Sequence, residues 1–533
     1  MSAGAAVALR RAGAGLGGLH LAVLGRGLRD ERVEQVRGGV SDLVDGPGEG
    51  LLVGLGRPRR PAHLAHVLER GGPHLLARRG RLEVVELADV AAHGVHARPA
   101  TAWPEGVRTA SPAVCACPRR AMMGVVRTVT LDQLGRHLAA LPGVPRVVVS
   151  GNVAVPWEAV RVLDEGRQEY VLHALNAPPG IPDRPGVTAE TCFVGGGMRR
   201  HSNLSYVPSR LSLVPVLYGG PLAPDVVVVH CAPPRDGMLS LGIEVNVLPA
   251  AIDACRARSG LVVAVVNDRM PYTGGDALLP VEAVDLAVEV SAPLPTHQPL
   301  VPDDDSRLIG ERIAARVPDG ATIQAGIGGI PDATIAALTG RRDLRVWTEM
   351  FSDGVVALDR AGALDRDHPL TTSFLFGSQD LYDWVDGNPR VRMTRTETTN
   401  DPGLIAHQRR MTSVNSALEV DLFGQANASR IDARIHSGFG GQTDFVVGAL
   451  HSPGGQSFIA LRSWHPKANC STVVPLLDEP VTSVQQTAIV TEQGAAELFG
   501  YDQRGQCRHI IRDAAHPDVR DELWEEARAL GLA

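Results

Sequence analysis

Three stretches of this chain carry residue types that could do chemistry together. Glu349 closes the apolar run Val346-Trp347-Thr348, an expected strand, and the segment Met350-Phe351-Ser352-Asp353-Gly354 is expected to turn away after it. Upstream, Gly326-Ile327-Gly328-Gly329-Ile330-Pro331-Asp332 is a glycine-rich loop behind the short apolar stretch 321–324. Downstream, Ser437-Gly438-Phe439-Gly440-Gly441-Gln442-Thr443-Asp444-Phe445 places three glycines in four positions. Glycine-rich loops offer bare backbone N–H groups and let a ligand approach the main chain closely. A carboxylate delivered to the same rim can act as a base, a nucleophile or a ribose ligand.

The first pair of stretches admits a dinucleotide reading. Gly326-x-Gly328 follows an expected strand and precedes an expected helix that runs to Leu338, and Glu349 lies 23 residues beyond Gly326. A Rossmann site uses an acid so placed on the ribose. Pro331, however, stands where that fingerprint needs a glycine for close helix–strand packing. Proline suits the first turn of a helix, so the loop presents amides at a helix start without the Rossmann shape. A nicotinamide-dependent dehydrogenase is therefore the weaker alternative. For Glu349 taken alone, a structural role capping a neighbouring helix competes with a role as nucleophile or general base. For 437–445, a tight turn between strands competes with an oxyanion hole, for which exposed N–H groups are the usual material.

The elements that must position these residues are those of an α/β protein. The 533 residues suffice for two or more domains, and 44% hydrophobic with 21% charged is ordinary for a soluble chain. No apolar run of membrane-spanning length is present, and a net charge of −7 without basic helical runs argues against nucleic acid as a partner. The seven cysteines contain no CxxC pair, so neither a metal site nor a disulfide framework is signalled, and a cytoplasmic location fits. Leu131, Leu134, Leu138 and Leu141 predict a helix, and Val147-Val148-Val149 a buried strand. Val226-Val227-Val228-Val229 and 261–266 are all-apolar runs of the kind parallel sheets bury on both faces, with a helix expected over 243–254 between them. This alternation predicts a first α/β domain over 123–295. A joint with Pro293, Pro295, Pro299 and Pro302 follows, and the pattern restarts with a helix over 306–317 and a second α/β domain over 306–525.

Taken in order, several motifs make the sequence resemble the acetyl-CoA hydrolase / 4-hydroxybutyrate (butyrate) CoA-transferase family, the single-chain class I CoA-transferases. They are Ser240-Leu241-Gly242, Asn267-Asp268-Arg269-Met270-Pro271, the loop 326–332, Thr348-Glu349-Met350-Phe351-Ser352-Asp353-Gly354, Gly377-Ser378 with Leu381-Tyr382-Asp383, 415–421, 437–445 and Val490-Thr491-Glu492-Gln493-Gly494. The resemblance covers about 125–525. It implies two related open-sheet α/β domains with the active site between them. It implies that Glu349 attacks an acyl-CoA thioester and later carries CoA as a glutamyl thioester, with Gly440 and Gly441 stabilising the oxyanions. It further implies a CoA-binding loop at Gln324, Ala325, Gly326, Ile327 and Gly328, and a CoA contact from Lys467, the sole lysine of the chain. The expected substrates are a short-chain acyl-CoA and a carboxylate such as acetate. CoA enters as substrate, with no tightly bound cofactor and no metal, and the assembly is expected to be a homodimer or homotetramer. Acyl-CoA hydrolysis on the same scaffold is the alternative. Two departures concern CoA grip and acyl preference: Ser463-Trp464-His465-Pro466 before Lys467, and Leu498-Phe499-Gly500 where the family has L-R-G.

Residues 1–121 differ from the rest. They contain no Lys, Asn, Ile, Phe or Tyr, and Trp103 is their only Phe, Tyr or Trp. Such a composition supplies little core, and the expectation is a disordered leader or a misassigned start upstream of Met122 or Met123. A chain started at Met123 is expected to turn over acyl-CoA at the same rate per mole as the full-length chain, checked by steady-state assay of the two side by side.

Overall fold

The computed structural model describes residues 126–299 and 301–533; the leader expected over 1–121 lies outside the described residues. The first half is built on a ten-stranded sheet. Its path runs Arg127–Thr128, Leu286–Val290, Leu261–Asn267, Val226–Arg235, Arg146–Val149, Tyr170–His173, Val187–Thr191, Leu204–Tyr206, every neighbouring pair parallel. A hairpin-like flap, Met238–Ser240 with Leu278–Pro280, pairs antiparallel at its side. The all-apolar runs sit in the middle of this sheet. Val226 to Val229 are all buried, in register with Leu261 to Ala264 on one side, while Val226 to Val228 are in register with Val147 to Val149 on the other. Helices cover both faces, which is why these strands need no polar alternation. The first of them, Leu131–Ala139, opens with a capping box between Thr130 and Gln133 and buries Leu134 and Leu138.

The second half repeats the plan on six strands. Arg345–Val346, Thr322–Ala325, Met411–Ser416, Gln456–Ala460 and Ala488–Val490 are parallel, and Ala495–Glu497 closes the edge antiparallel. Thr322–Ala325 has the next strand of the chain on one side and a later one on the other. Loops leaving the carboxyl ends of strands at such a switch point diverge and open a crevice. The glycine loop 326–328 leaves from that place.

Close packing behind the loop fixes it. Helix Asp304–Ala314 is capped by Asp303, whose carboxylate accepts from the Ser306 N–H at 2.9 Å. It lies against helix Gly329–Ala337 because Gly310 has no side chain: a Cβ there would stand 2.6 Å from the Ala333 carbonyl carbon. Pro331 falls in the first turn of the second helix, as expected.

The sheets are not separate bodies. Gly274–Gly275 of the first half pairs in parallel with Val391–Met393 of the second. One hydrophobic cluster includes Val229, Ile243 and Val245 from the first half with Phe351, Leu375 and Met393 from the second.

Some boundaries differ from the sequence expectation. The helix expected over 243–254 is Leu248–Ala257. Residues 243–247 instead run as a turn pinned to the second half, with the Val245 and Asn246 N–H groups both donating to the Ser373 carbonyl. Asn246 takes a φ of 44°, which no right-handed helix accommodates. Met350–Phe351, expected to turn away, is a short strand paired with Phe374–Leu375. Gly441 begins helix Gln442–His451, so 437–441 is a strand-to-helix loop and no turn between strands. Replacing Gly310 by Val is expected to cost about 1–3 kcal/mol by overpacking, read as a lower urea midpoint at unchanged slope.

Candidate active site

A cavity of about 550 Å³ opens between the two halves. Asn152, Asn176, Phe193 and Asn246 line it from the first half. From the second half come residues 324–327, Glu349 and the loop 437–441. The wall thus unites Gln324, Ala325, Gly326, Ile327, Glu349, Gly440 and Gly441. Gly328 lies just behind it, with a φ of 119° that only glycine holds easily. Lys467 is not brought to the wall: it is exposed beside the small hairpin Trp464–His465 with Cys470–Ser471. Trp464 is also away from the cavity, packed against the His516 ring.

Glu349 stands between two short strand pairings. Its predecessor Thr348 is buried and donates from Oγ1 to the Ala325 carbonyl at 3.2 Å and the Met350 carbonyl at 2.9 Å. Its own carbonyl accepts from the Ser373 and Phe374 N–H groups. The main chain is therefore fixed on both sides, and the side chain can point only into the cavity. Oε2 accepts from Asn400 Nδ2 at 2.9 Å, while Oε1 accepts no hydrogen bond among the described residues. A Cβ on Gly441 would overlap Glu349 Oε2 and Asn400 Nδ2. The carboxylate therefore rests directly on the backbone of the third loop.

That loop is strapped to the first half. The Leu211 N–H donates to the Gly440 carbonyl at 2.9 Å, and the Val194 N–H to the Ser437 carbonyl at 2.8 Å. Phe193 covers Gly440, which holds φ at 54°. In the first turn of the following helix, Asp444 is fully buried. It accepts from the Ser212 N–H and Oγ at 3.2 and 2.8 Å and faces Arg210 at 3.5 Å. On the glycine-loop side, Gln324 Oε1 accepts from Ser413 Oγ at 2.7 Å and Asn415 Nδ2 at 3.3 Å, so that side chain is held as well.

Burial dominates the electrostatics. It pushes Glu349 up to about 7, against the Asn400 hydrogen bond and with the help of the Asp444 charge. Asp444 rises to about 6, burial outweighing the Ser212 hydrogen bonds and the Arg210 charge. Glu244, buried behind the first-half wall, rises to about 8 despite hydrogen bonds from Asn152 and Asn246. A half-buried carboxylate whose proton is held more tightly by burial lies here beside two glycine loops.

Sequence reasoning missed Asn400, Asp444 and Glu244. Asp444 lay inside a quoted motif, and Glu244 follows Ser240-Leu241-Gly242 closely; a carboxylate next to a glycine motif was the available signal. Asn400 had none, since only folding brings Thr399-Asn400-Asp401 to Glu349. Among the described residues no cluster of His, Cys, Asp and Glu could hold a metal ion, and no helix is long and apolar enough to cross a membrane.

Residues 377–527 match the family model of the acetyl-CoA hydrolase/transferase C-terminal domain. The chain is 35% identical to the 4-hydroxybutyrate coenzyme A transferase of Clostridium kluyveri, over 72% of this chain and 93% of that protein. It is 37% identical to the succinyl-CoA:acetate/propanoyl-CoA:succinate CoA transferase of Fasciola hepatica, over 72% and 84%. The solved 4-hydroxybutyrate CoA-transferase of Porphyromonas gingivalis superposes with a TM-score of 0.64 at 31% identity, covering 76% of this chain and 98% of that one.

The three buried carboxyls bind protons more tightly folded than unfolded, where they titrate near 4. Their contribution to stability is therefore full at low pH and is lost as pH rises from about 4 to about 8. Glu349→Gln, which cannot ionise, is expected to melt higher than the parent chain at pH 8 and about equally at pH 4, checked by calorimetry at both.

Proposed function

This chain belongs to the acetyl-CoA hydrolase/transferase family, and on that premise we propose that it moves CoA from an acyl-CoA to a carboxylate with Glu349 as the covalent carrier. One observation carries the reading: the Glu349 carboxylate lies on the cavity wall against Gly441, held through Oε2 by Asn400 and free at Oε1. In the first step a Glu349 oxygen bonds to the thioester carbonyl carbon and the C–S bond breaks. The products are an acyl-glutamyl anhydride and CoA thiolate. The thiolate then attacks the Glu349 carbonyl, releasing the acyl group as a carboxylate and leaving a glutamyl-CoA thioester. A second carboxylate takes CoA by the reverse of both steps, so no proton is consumed and no redox change occurs. Dividing the exchange into steps between similar acyl donors keeps each barrier low.

Each addition passes through an oxyanion that the Gly440 and Gly441 amides face. Loss of one such donor typically costs about 3 kcal/mol. The loop 324–327 supports CoA along the opposite wall. Lys467, exposed beyond the wall, would meet only the part of CoA that projects toward solvent. Short-chain acyl groups fit the cavity volume, with acetate-like carboxylates as acceptors. A cytoplasmic enzyme acting as a homodimer or homotetramer completes the proposal. Hydrolysis differs only in that water resolves the glutamyl thioester.

Mixing the protein with acyl-CoA, reducing with borohydride and mapping peptides by mass is expected to place the modification on Glu349. Turnover with Glu349 unmodified would exclude this mechanism. Thioester loss is expected to rise when a second carboxylate is added; equal loss without it assigns hydrolysis instead. The nucleophile must be ionised, so kcat/KM is expected to fall about tenfold per pH unit below about 7. A profile flat from pH 5 to 8 would contradict a nucleophilic Glu349.

A further inference from the structure

Asp444 takes no part in the transfer steps above, yet it is fully buried in the helix turn that follows the third loop. Both halves of the chain converge on it. From the first half, Ser212 donates to it from N–H and Oγ at 3.2 and 2.8 Å, and the Arg210 guanidinium stands 3.5 Å away. From the second half, the Asn400 amide stabilises its carboxylate form. Only the Nδ2 side of an amide can do so, because Oδ1 has no proton to give. Nδ2 is also the atom that donates to Glu349 Oε2, at 2.9 Å. A single amide therefore joins the two acids. Asn400 is itself fully buried, and its Oδ1 has no hydrogen-bond partner among the described residues. Its main chain is held next to the Glu349 segment, since Trp347 Nε1 donates to the Thr399 carbonyl at 2.9 Å. The Asn400 N–H donates to the Thr396 carbonyl, also at 2.9 Å. The freedom left to Asn400 is which end of its amide faces Glu349.

Glu349 cannot fix that orientation by itself. As a carboxylate it accepts from Nδ2. As the neutral acid, which burial favours, it would donate to Oδ1 of an amide turned end for end. The turned amide would hold the proton on the nucleophile. Asp444, supported as a carboxylate by Ser212 and Arg210, only accepts, so it admits the first orientation and opposes the second. We propose that Asp444 is a positioning residue for CoA transfer, which turns the Asn400 amide so that Nδ2 meets Glu349. The inference rests on the reading of Glu349 as the covalent carrier. A reacting group oriented by a partner, itself oriented by a third group, is the logic of a catalytic triad. The consequence falls on the second step. Once Oε1 has formed the anhydride, Oε2 is the carbonyl oxygen of Glu349, and thiolate attack turns it into an oxyanion. Nδ2 would stabilise that charge and Oδ1 would repel it. An interaction strongest in the transition state shows in kcat and not in KM.

The test is steady-state transfer from butyryl-CoA to acetate by the parent, Asp444→Asn, Asn400→Ala and the double variant. Asp444→Asn keeps the side-chain shape and is expected to lower kcat about a hundredfold. KM for butyryl-CoA is expected to stay within about twofold. The double variant is expected to match Asn400→Ala within about threefold, because Asp444 acts through Asn400. A merely structural Asp444 would lower the melting temperature and leave kcat per folded molecule intact, which would overturn the proposal. Losses that multiply in the double variant would overturn it too, while the Glu349 mechanism would stand. If Asp444→Asn does not fold, Ser212→Ala, which strips bonding from the buried carboxylate, takes its place. Its kcat is expected to fall about tenfold, again without adding to Asn400→Ala, and an unchanged kcat refutes the role. If the parent turns over no short-chain acyl-CoA, the transfer reading fails by itself, and urea unfolding of the same variants decides the positioning. Coupling between positions 444 and 400 supports it; additive losses of stability refute it.

Discussion

The site depends on one close contact, the Glu349 carboxylate resting on the backbone of Gly441 with Asn400 bonded to the same oxygen, Oε2. No side chain fits between them, so the third loop has to present a glycine at that position. The contact also requires that three segments far apart in the chain arrive together. Thr348 fixes the main chain before Glu349, the Ser373 and Phe374 amides fix it after, and Leu211 and Val194 tie the third loop down from the first half. Rigid supports of this kind hold a side chain in one geometry.

The same geometry is unfavourable to folding by itself. Glu244 and Asp444 are withdrawn from water and Glu349 is half-buried, and Arg210 is the cation that faces one of them. Isolated carboxylates resist burial and hold their protons instead. The shared hydrophobic cluster and the strand pairing of Gly274–Gly275 with Val391–Met393 offset that cost by binding the halves together. The three acids are thus held in place against a stability loss, the trade-off known where a site keeps groups that folding alone would not favour.

Much of the α/β plan was legible because its signals are local. Val226 to Val229 and the 261–266 run identify buried parallel strands by composition alone, and the glycine loop followed by Pro331 identifies a helix start. The helix expected over 243–254 began late because the chain at 243–247 is held by Ser373, over a hundred residues away in sequence. Met350–Phe351 looked like a departure from the sheet for the same reason, its partner Phe374–Leu375 being another segment. Lys467 stood out by rarity, yet rarity carries no spatial information, and the side chain lies exposed away from the cavity wall.

By itself the sequence determined the alternation of strands and helices, the two glycine loops, and the carboxylate they would serve, since each is encoded in a few consecutive residues. Tertiary structure decided what surrounds Glu349: the amide of Asn400, the buried Asp444, the asparagines around Glu244, and the burial that shifts all three acids. Those properties depend on distances between residues remote in the chain and on solvent exclusion, and neither is written in any local pattern. Glu349 could be singled out as a candidate from its neighbours in sequence. Its raised pKa and its contact with Gly441 exist only once the halves have closed around it.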